Sequence, residues 1–204
     1  MHPRDLLPPV FDDYARAFGV LEFLVFDDAD GDEDAALTAI TALIPEIDRV
    51  KLRELGARRI DDRAFFGDWY DADADALLRR GSYRTKDKRQ LVDPRLTDLD
   101  DVEIKSGGFS NPSCGGGGQF AYAFSWTPYG LRARPSEIQR MFSEIRDFIL
   151  PPGLRHEIRD WSSPRLPEAA RYFEAGMEWW GVFLFTIHVP TLSRLTVIAG
   201  STTD

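Results

Sequence analysis

Between residues 136 and 149, six apolar side chains recur at helical spacing: Ile138, Met141, Phe142, Ile145, Phe148 and Ile149. This stripe constrains the fold more than any other feature. A helix with one continuous apolar face must bury it against a sheet or another helix. Ser136 and Gln139 match a capping box, in which side chains satisfy free N–H groups of the first turn. Pro151-Pro152-Gly153 end the segment, because proline cannot continue a helix.

The sequence also supplies strands for that helix to cover. Residues 179–189 are almost unbroken apolar, and residues 194–199 follow after a four-residue connection at 190–193, which predicts an antiparallel hairpin. Residues 20–26, 102–105 and 156–161 read as further strands. So do residues 119–127, where Phe120, Tyr122, Phe124 and Trp126 alternate with Gln119, Ala121, Ala123, Ser125 and Thr127. Two more helices are expected. One follows Pro8-Pro9 over 9–18, with Phe11, Tyr14, Ala15 and Phe18 on one face and Gly19 as its stop. The other spans 33–44, with Leu37, Ile40, Leu43 and Ile44 on one face and Pro45 after it. Residues 73–80 and 167–175 suggest short helices, and 46–60 fit neither period. The expectation is an α+β fold, with a mostly antiparallel sheet and helices covering one face, in a single domain. Residues 81–101, polar and long, are the one stretch that could mark a boundary.

Charge is unevenly placed. Residues 1–50 hold 12 acids and 3 bases, and the whole chain carries a net charge of −9. The first quarter therefore accounts for the entire excess. Such a field repels a phosphate backbone and attracts basic partners, although it also serves solubility. Nucleic acid is not expected as a partner. A single cysteine, Cys114, cannot form an internal disulfide, which fits a reducing, cytoplasmic compartment. No apolar run approaches the ~20 residues that cross a bilayer, and the N-terminus leads into no signal-like apolar region. Arginine outnumbers lysine 21 to 4, which hints at a GC-rich bacterial genome.

Several constellations could carry function. The turn Asp27, Asp28, Asp30, Gly31, Asp32, Glu33, Asp34 invites a calcium reading. Counted from Asp28, however, an EF-hand would need glycine at its sixth place and glutamate at its twelfth, where Glu33 and Ala39 stand. No metal and no cofactor are expected. Asp32 is better read as the cap of the following helix, with Glu33 and Asp34 favouring its positive end.

The glycine-rich segment 106–118 carries Cys114, a nucleophile only if a base such as His156 or His188 lies within reach. The alternative is a plain strand connection. The basic run Arg79, Arg80, Arg84, Lys86, Lys88 and Arg89 could hold a phosphate or an acidic partner, or form a solvated face. The row Phe120, Tyr122, Phe124, Trp126 reads as core packed on the 136–149 helix, since a nucleic-acid platform would also need a basic groove. Trp69 and Trp179 are further candidates to anchor a partner.

Leu7-Pro8-Pro9-Val10-Phe11 with Tyr14 resembles the opening of the SMI1/KNR4-type immunity proteins, an α+β family. The resemblance covers about twelve residues and implies no site residues.

The leading expectation is a non-enzymatic protein-binding role, immunity- or antitoxin-like, in which Asp27, Asp28, Asp30, Asp32, Glu33 and Asp34 face a basic partner. A small hydrolase or transferase built around Cys114 is one alternative. A small-ligand binding domain using the small residues of 119–127 is the other.

Overall fold

The computed structural model describes residues 1–109 and 119–202. In chain order its elements are β1 (His2–Pro3), α1 (Pro9–Arg16), β2 (Glu22–Asp27), α2 (Glu33–Leu43), α3 (Arg49–Leu55) and β3 (Arg58–Ile60). Then come α4 (Asp62–Phe66), β4 (Tyr70–Asp71), β5 (Ala76–Leu77), β6 (Ser82–Thr85), β7 (Gln90–Val92) and β8 (Ile104–Gly108). The chain continues with α5 (Phe120–Ser125), α6 (Pro135–Ile149), β9 (Glu157–Asp160), β10 (Val182–Val189) and β11 (Arg194–Ser201). The fold is α+β. Its main sheet runs β1-β2-β11-β10-β9-β3, with every neighbouring pair antiparallel.

The central hairpin forms where expected, β10 and β11 pairing from Val182↔Ser201 to Val189↔Arg194. Successive β10 residues point to opposite faces, and nearly all are buried. A strand buried on both faces reads as a continuous apolar run instead of alternating. One face packs Phe183, Phe185 and Ile187 against α1, α4, α5 and α6. The other packs Val182, Leu184, Val197 and Ala199 against α2, α3 and the turns around Leu166 and Phe173. The sheet is thus the middle of three layers.

Helix α6 buries Ile138, Met141, Phe142, Ile145 and Ile149, as its stripe requires. Its cap differs from the expected one. Glu137 accepts the Arg134 N–H at 2.8 Å, and Asp100 accepts that of Ser136 at 2.8 Å. Gln139 faces inward instead. Its Oε1 accepts the buried Leu77 N–H at 2.7 Å, and its Nε2 donates to Ser143 Oγ at 3.0 Å, so a polar side chain in the stripe fastens β5 to α6.

Residues 119–127 are the main correction. They form helix α5, with Phe120, Ala121, Tyr122, Ala123 and Phe124 all buried. The alternation was of size, not polarity. Alanine and aromatic side chains are both apolar, so the pattern also suits a short helix enclosed on all sides. Its core role stands: Phe120 lies 5.7 Å and Phe124 5.3 Å from the Phe142 ring.

Other departures are smaller. Residues 73–80 form a turn and β5 rather than a helix. Residues 81–101 hold β6, β7 and a 3-10 turn, and β6 pairs with both β7 and β8. Residues 46–60 resolve into α3, capped by Asp48, and β3. The segment 167–175 forms 3-10 turns, and the tryptophan pair 179–180 precedes β10 instead of entering it.

Candidate functional site

A cleft of about 620 Å³ opens where the α5–α6 connection meets the turn at Trp69, the end of β5 and the loop before β10. Its position follows from local chemistry. Trp126 ends α5, its N–H donating to the Tyr122 carbonyl at 2.8 Å. Thr127, Pro128, Tyr129 and Gly130 then form a tight turn closed by Gly130 N–H to Thr127 O at 3.0 Å. Proline suits the second place of such a turn, and Gly130 takes φ 68 without steric cost. Arg132 N–H to Ala17 O, 2.8 Å, ties the connection to α1. Opposite, Leu78 N–H donates to Trp69 O and Arg79 N–H to Pro94 O, both at 2.8 Å, so two backbone clamps hold Arg79 in the wall.

The lining is aromatic and apolar, with Trp69, Trp126, Tyr129 and Trp179 around Leu78, Leu96, Leu131 and Ile138. The volume and the lining are those of a small-molecule site. Trp69 and Trp126 sit 5.4 Å apart, and Trp180 Nε1 donates to the Trp126 carbonyl at 2.6 Å, bracing the wall from the core side. Trp179 is 41% exposed.

Arg79 supplies the charge. Its guanidinium lies 5.1 Å from the Tyr83 ring and 5.8 Å from the Trp126 ring, and among the described residues its buried Nε has no hydrogen-bond partner. Neighbouring arginines differ: Arg80 pairs with Asp93 at 2.7 Å, and Arg95 with Asp71 at 3.4 Å. Thr127, only 5% exposed, also has an unpartnered Oγ1. An unmade buried hydrogen bond costs about 1–3 kcal/mol, so two on residues that line one cleft are costly for structure alone. A third such atom, Arg194 Nε, lies elsewhere, on a guanidinium whose Nη1 already donates to Phe148 O at 3.0 Å.

The residues singled out in the sequence are distributed as follows. Trp69 and Trp179 meet in this cleft. Trp69 is only 3% exposed, so a protein approaching here would touch Trp179 and not Trp69. Most of the acidic turn is engaged locally. Asp27 pairs with Arg4 at 2.9 Å and Asp28 lies 3.5 Å from His2, while Glu33 and Asp34 share Arg53. Asp32 caps α2, accepting the Ala35 N–H at 2.7 Å, and Asp30 is exposed. Of the basic run, Lys86 pairs with Glu103 and Arg89 with Asp87, and only Arg79 lines the cleft.

Cys114 lies outside the described residues. His156 has one ring nitrogen 2.6 Å from Asp62 and the other 3.2 Å from the Leu154 carbonyl. His188 Nε2 lies 3.2 Å from the Ala29 carbonyl.

One other polar cluster is self-satisfied. Tyr70 donates to Asp75 at 2.6 Å, and Arg146 bonds both. Arg146 holds the Asp75 carboxyl below the usual carboxylate range, and burial together with Asp75 pushes the Tyr70 phenol up to about 12. Among the described residues no group of three or more His, Cys, Asp or Glu is placed to hold a metal ion, and no helix is long and apolar enough to cross a membrane.

The tryptophans are the signal for the cleft that the sequence carries; their meeting with Arg79 has none, since it depends on how β5 packs on α6. Compared with known proteins, the chain matches no family model, no curated protein and no solved structure.

Proposed function

We propose that the protein is a non-enzymatic binding protein that takes a small, largely apolar ligand into the cleft between Trp69, Arg79, Trp126 and Trp179. The carrying observation is an aromatic-walled cavity of about 620 Å³ whose lining residues include Arg79 and Thr127, each with a buried polar atom that has no partner among the described residues. Most of its walls are held by backbone hydrogen bonds, which lowers the ordering cost of binding. Small aromatic fragments screened by ligand-observed NMR are expected to bind here and quench tryptophan fluorescence. The filling substitution Ala133→Trp should abolish both effects in a folded protein. Fragments that bind Ala133→Trp as well as wild type would move the site elsewhere.

A second reading keeps an immunity- or antitoxin-like role in a bacterial cytoplasm, with a basic protein as partner. It is favoured by the side chains of Asp28 and Asp34, which are 79% and 77% exposed despite their local pairing. Complementary fields speed encounter, so Asp28→Lys, Asp30→Lys and Glu33→Lys together should slow association about tenfold and flatten its salt dependence. Unchanged association kinetics with a basic partner would remove the acidic surface from the interface.

A further inference from the structure

We infer that the ligand of this cleft is an organic monoanion, a carboxylate on a flat apolar body, with its charged end on Arg79 and Thr127. The inference rests on the cleft being the binding site and adds the chemistry of what enters it.

Arg79 is unusual among its neighbours. It lies in the basic run, yet among the described residues it makes no ion pair like that of Arg80 with Asp93, and its guanidinium lies over the Tyr83 and Trp126 rings. Stacking on aromatic faces fixes the plane of a guanidinium while leaving its N–H edges available for bidentate pairing with a carboxylate. Beside it, Thr127 holds a buried hydroxyl that reaches the same group once its side chain turns into the cleft. Both side chains line the cleft, and among the described residues Arg79 Nε and Thr127 Oγ1 have no protein partner.

One cation and one hydroxyl match two carboxylate oxygens. They are fewer donors than the three oxygens of a phosphate dianion call for. Beyond them the wall residues are mostly apolar or aromatic, Leu78, Leu96, Trp126, Leu131, Ile138 and Trp179 among them, and the Ser125 hydroxyl is already given to the Ala121 carbonyl at 2.7 Å. Such walls favour a planar hydrocarbon or heteroaromatic body over a sugar.

The test compares two probes of nearly the same shape by ligand-observed NMR: 2-naphthoate, a carboxylate monoanion, and uncharged 2-naphthamide. Wild type should bind the anion at one site and more tightly than the neutral probe. Arg79→Met should weaken the anion about 10- to 100-fold, as expected for a lost charge-assisted contact, and leave the neutral probe nearly unchanged. Arg79→Lys should fall between, because lysine keeps the charge but not the fork. Near-UV circular dichroism identifies variants that retain tertiary packing, and Thr127→Val provides a second variant, with a smaller loss confined to the anion. Equal binding of the two probes to wild type, or an equal loss of both in a folded Arg79→Met, would overturn the anionic ligand while leaving the cleft as a binding site. If neither probe binds wild type, or Ala133→Trp changes nothing, the cleft reading itself fails and the anion with it.

Discussion

Truncating Phe142 to alanine is expected to destabilise the protein by about 3–5 kcal/mol. The ring is fully buried on α6 and meets Phe124 at 5.3 Å, Tyr70 at 5.5 Å, Phe120 at 5.7 Å and Phe66 at 6.1 Å. These neighbours come from α4, α5 and the start of β4, so the cavity left by alanine is walled by several elements and cannot close by moving one of them. The control lies one turn-face away. The Arg140 side chain is half exposed and pairs with Glu144 at 2.8 Å and Asp13 at 3.6 Å. Exposed pairs contribute little, so Arg140→Ala should stay within about 0.5 kcal/mol. Urea unfolding of both variants decides the matter. Equal, small shifts in midpoint would mean that α6 does not bury the face assigned to it.

The second large effect is expected at Gly19, where alanine should cost about 1–3 kcal/mol through overpacking. The sequence suggests this glycine as a helix stop, a place where left-handed backbone is common. The structure gives that backbone to Phe18, at φ 67, and Gly19 is required for a different reason. The Tyr14 ring lies directly over its Cα, and an added Cβ would fall well inside van der Waals contact of Cδ1, Cε1 and Cζ. Tyr14 cannot yield easily. It is 1% exposed, stacks on Phe124 at 4.2 Å, and donates its hydroxyl to the Phe124 carbonyl at 3.2 Å. Burial also raises its phenol pKa, so the ring stays neutral. Gly108→Ala makes the comparison, because among the described residues an added Cβ there meets nothing within 4 Å. Chemical denaturation and near-UV circular dichroism should separate the two. A Gly19→Ala protein as stable as Gly108→Ala would show that the ring moves aside freely.

Local chemistry made much of this protein legible before its fold was known. The α6 stripe, the β10–β11 hairpin with its four-residue connection and the Asp32 cap are set by neighbours within a few residues. The mostly antiparallel α+β class follows from them, because a striped helix and an apolar hairpin can satisfy each other only by packing together. What local pattern could not settle was which apolar residues lie in a strand and which in a helix. Residues 120–125 are apolar at every position but one, and periodicity carries no information when every direction is buried. Gln139 is the converse case: a polar residue in the stripe reads as a helix cap until the Leu77 N–H, 62 residues away, is seen to need an acceptor.

The candidate site divides the same way. Its tryptophans and the basic run were visible along the chain. By itself, the sequence determined a sheet-and-helix core and the chemical types available to a site. Only the tertiary structure decided that Arg79 leaves its charged neighbours for two aromatic rings and that Trp179 joins it across a cleft. Apart from Tyr83, four positions on, these residues lie about fifty to a hundred positions from Arg79, and the energy of their contacts comes from burial and stacking that exist only after the sheet has formed.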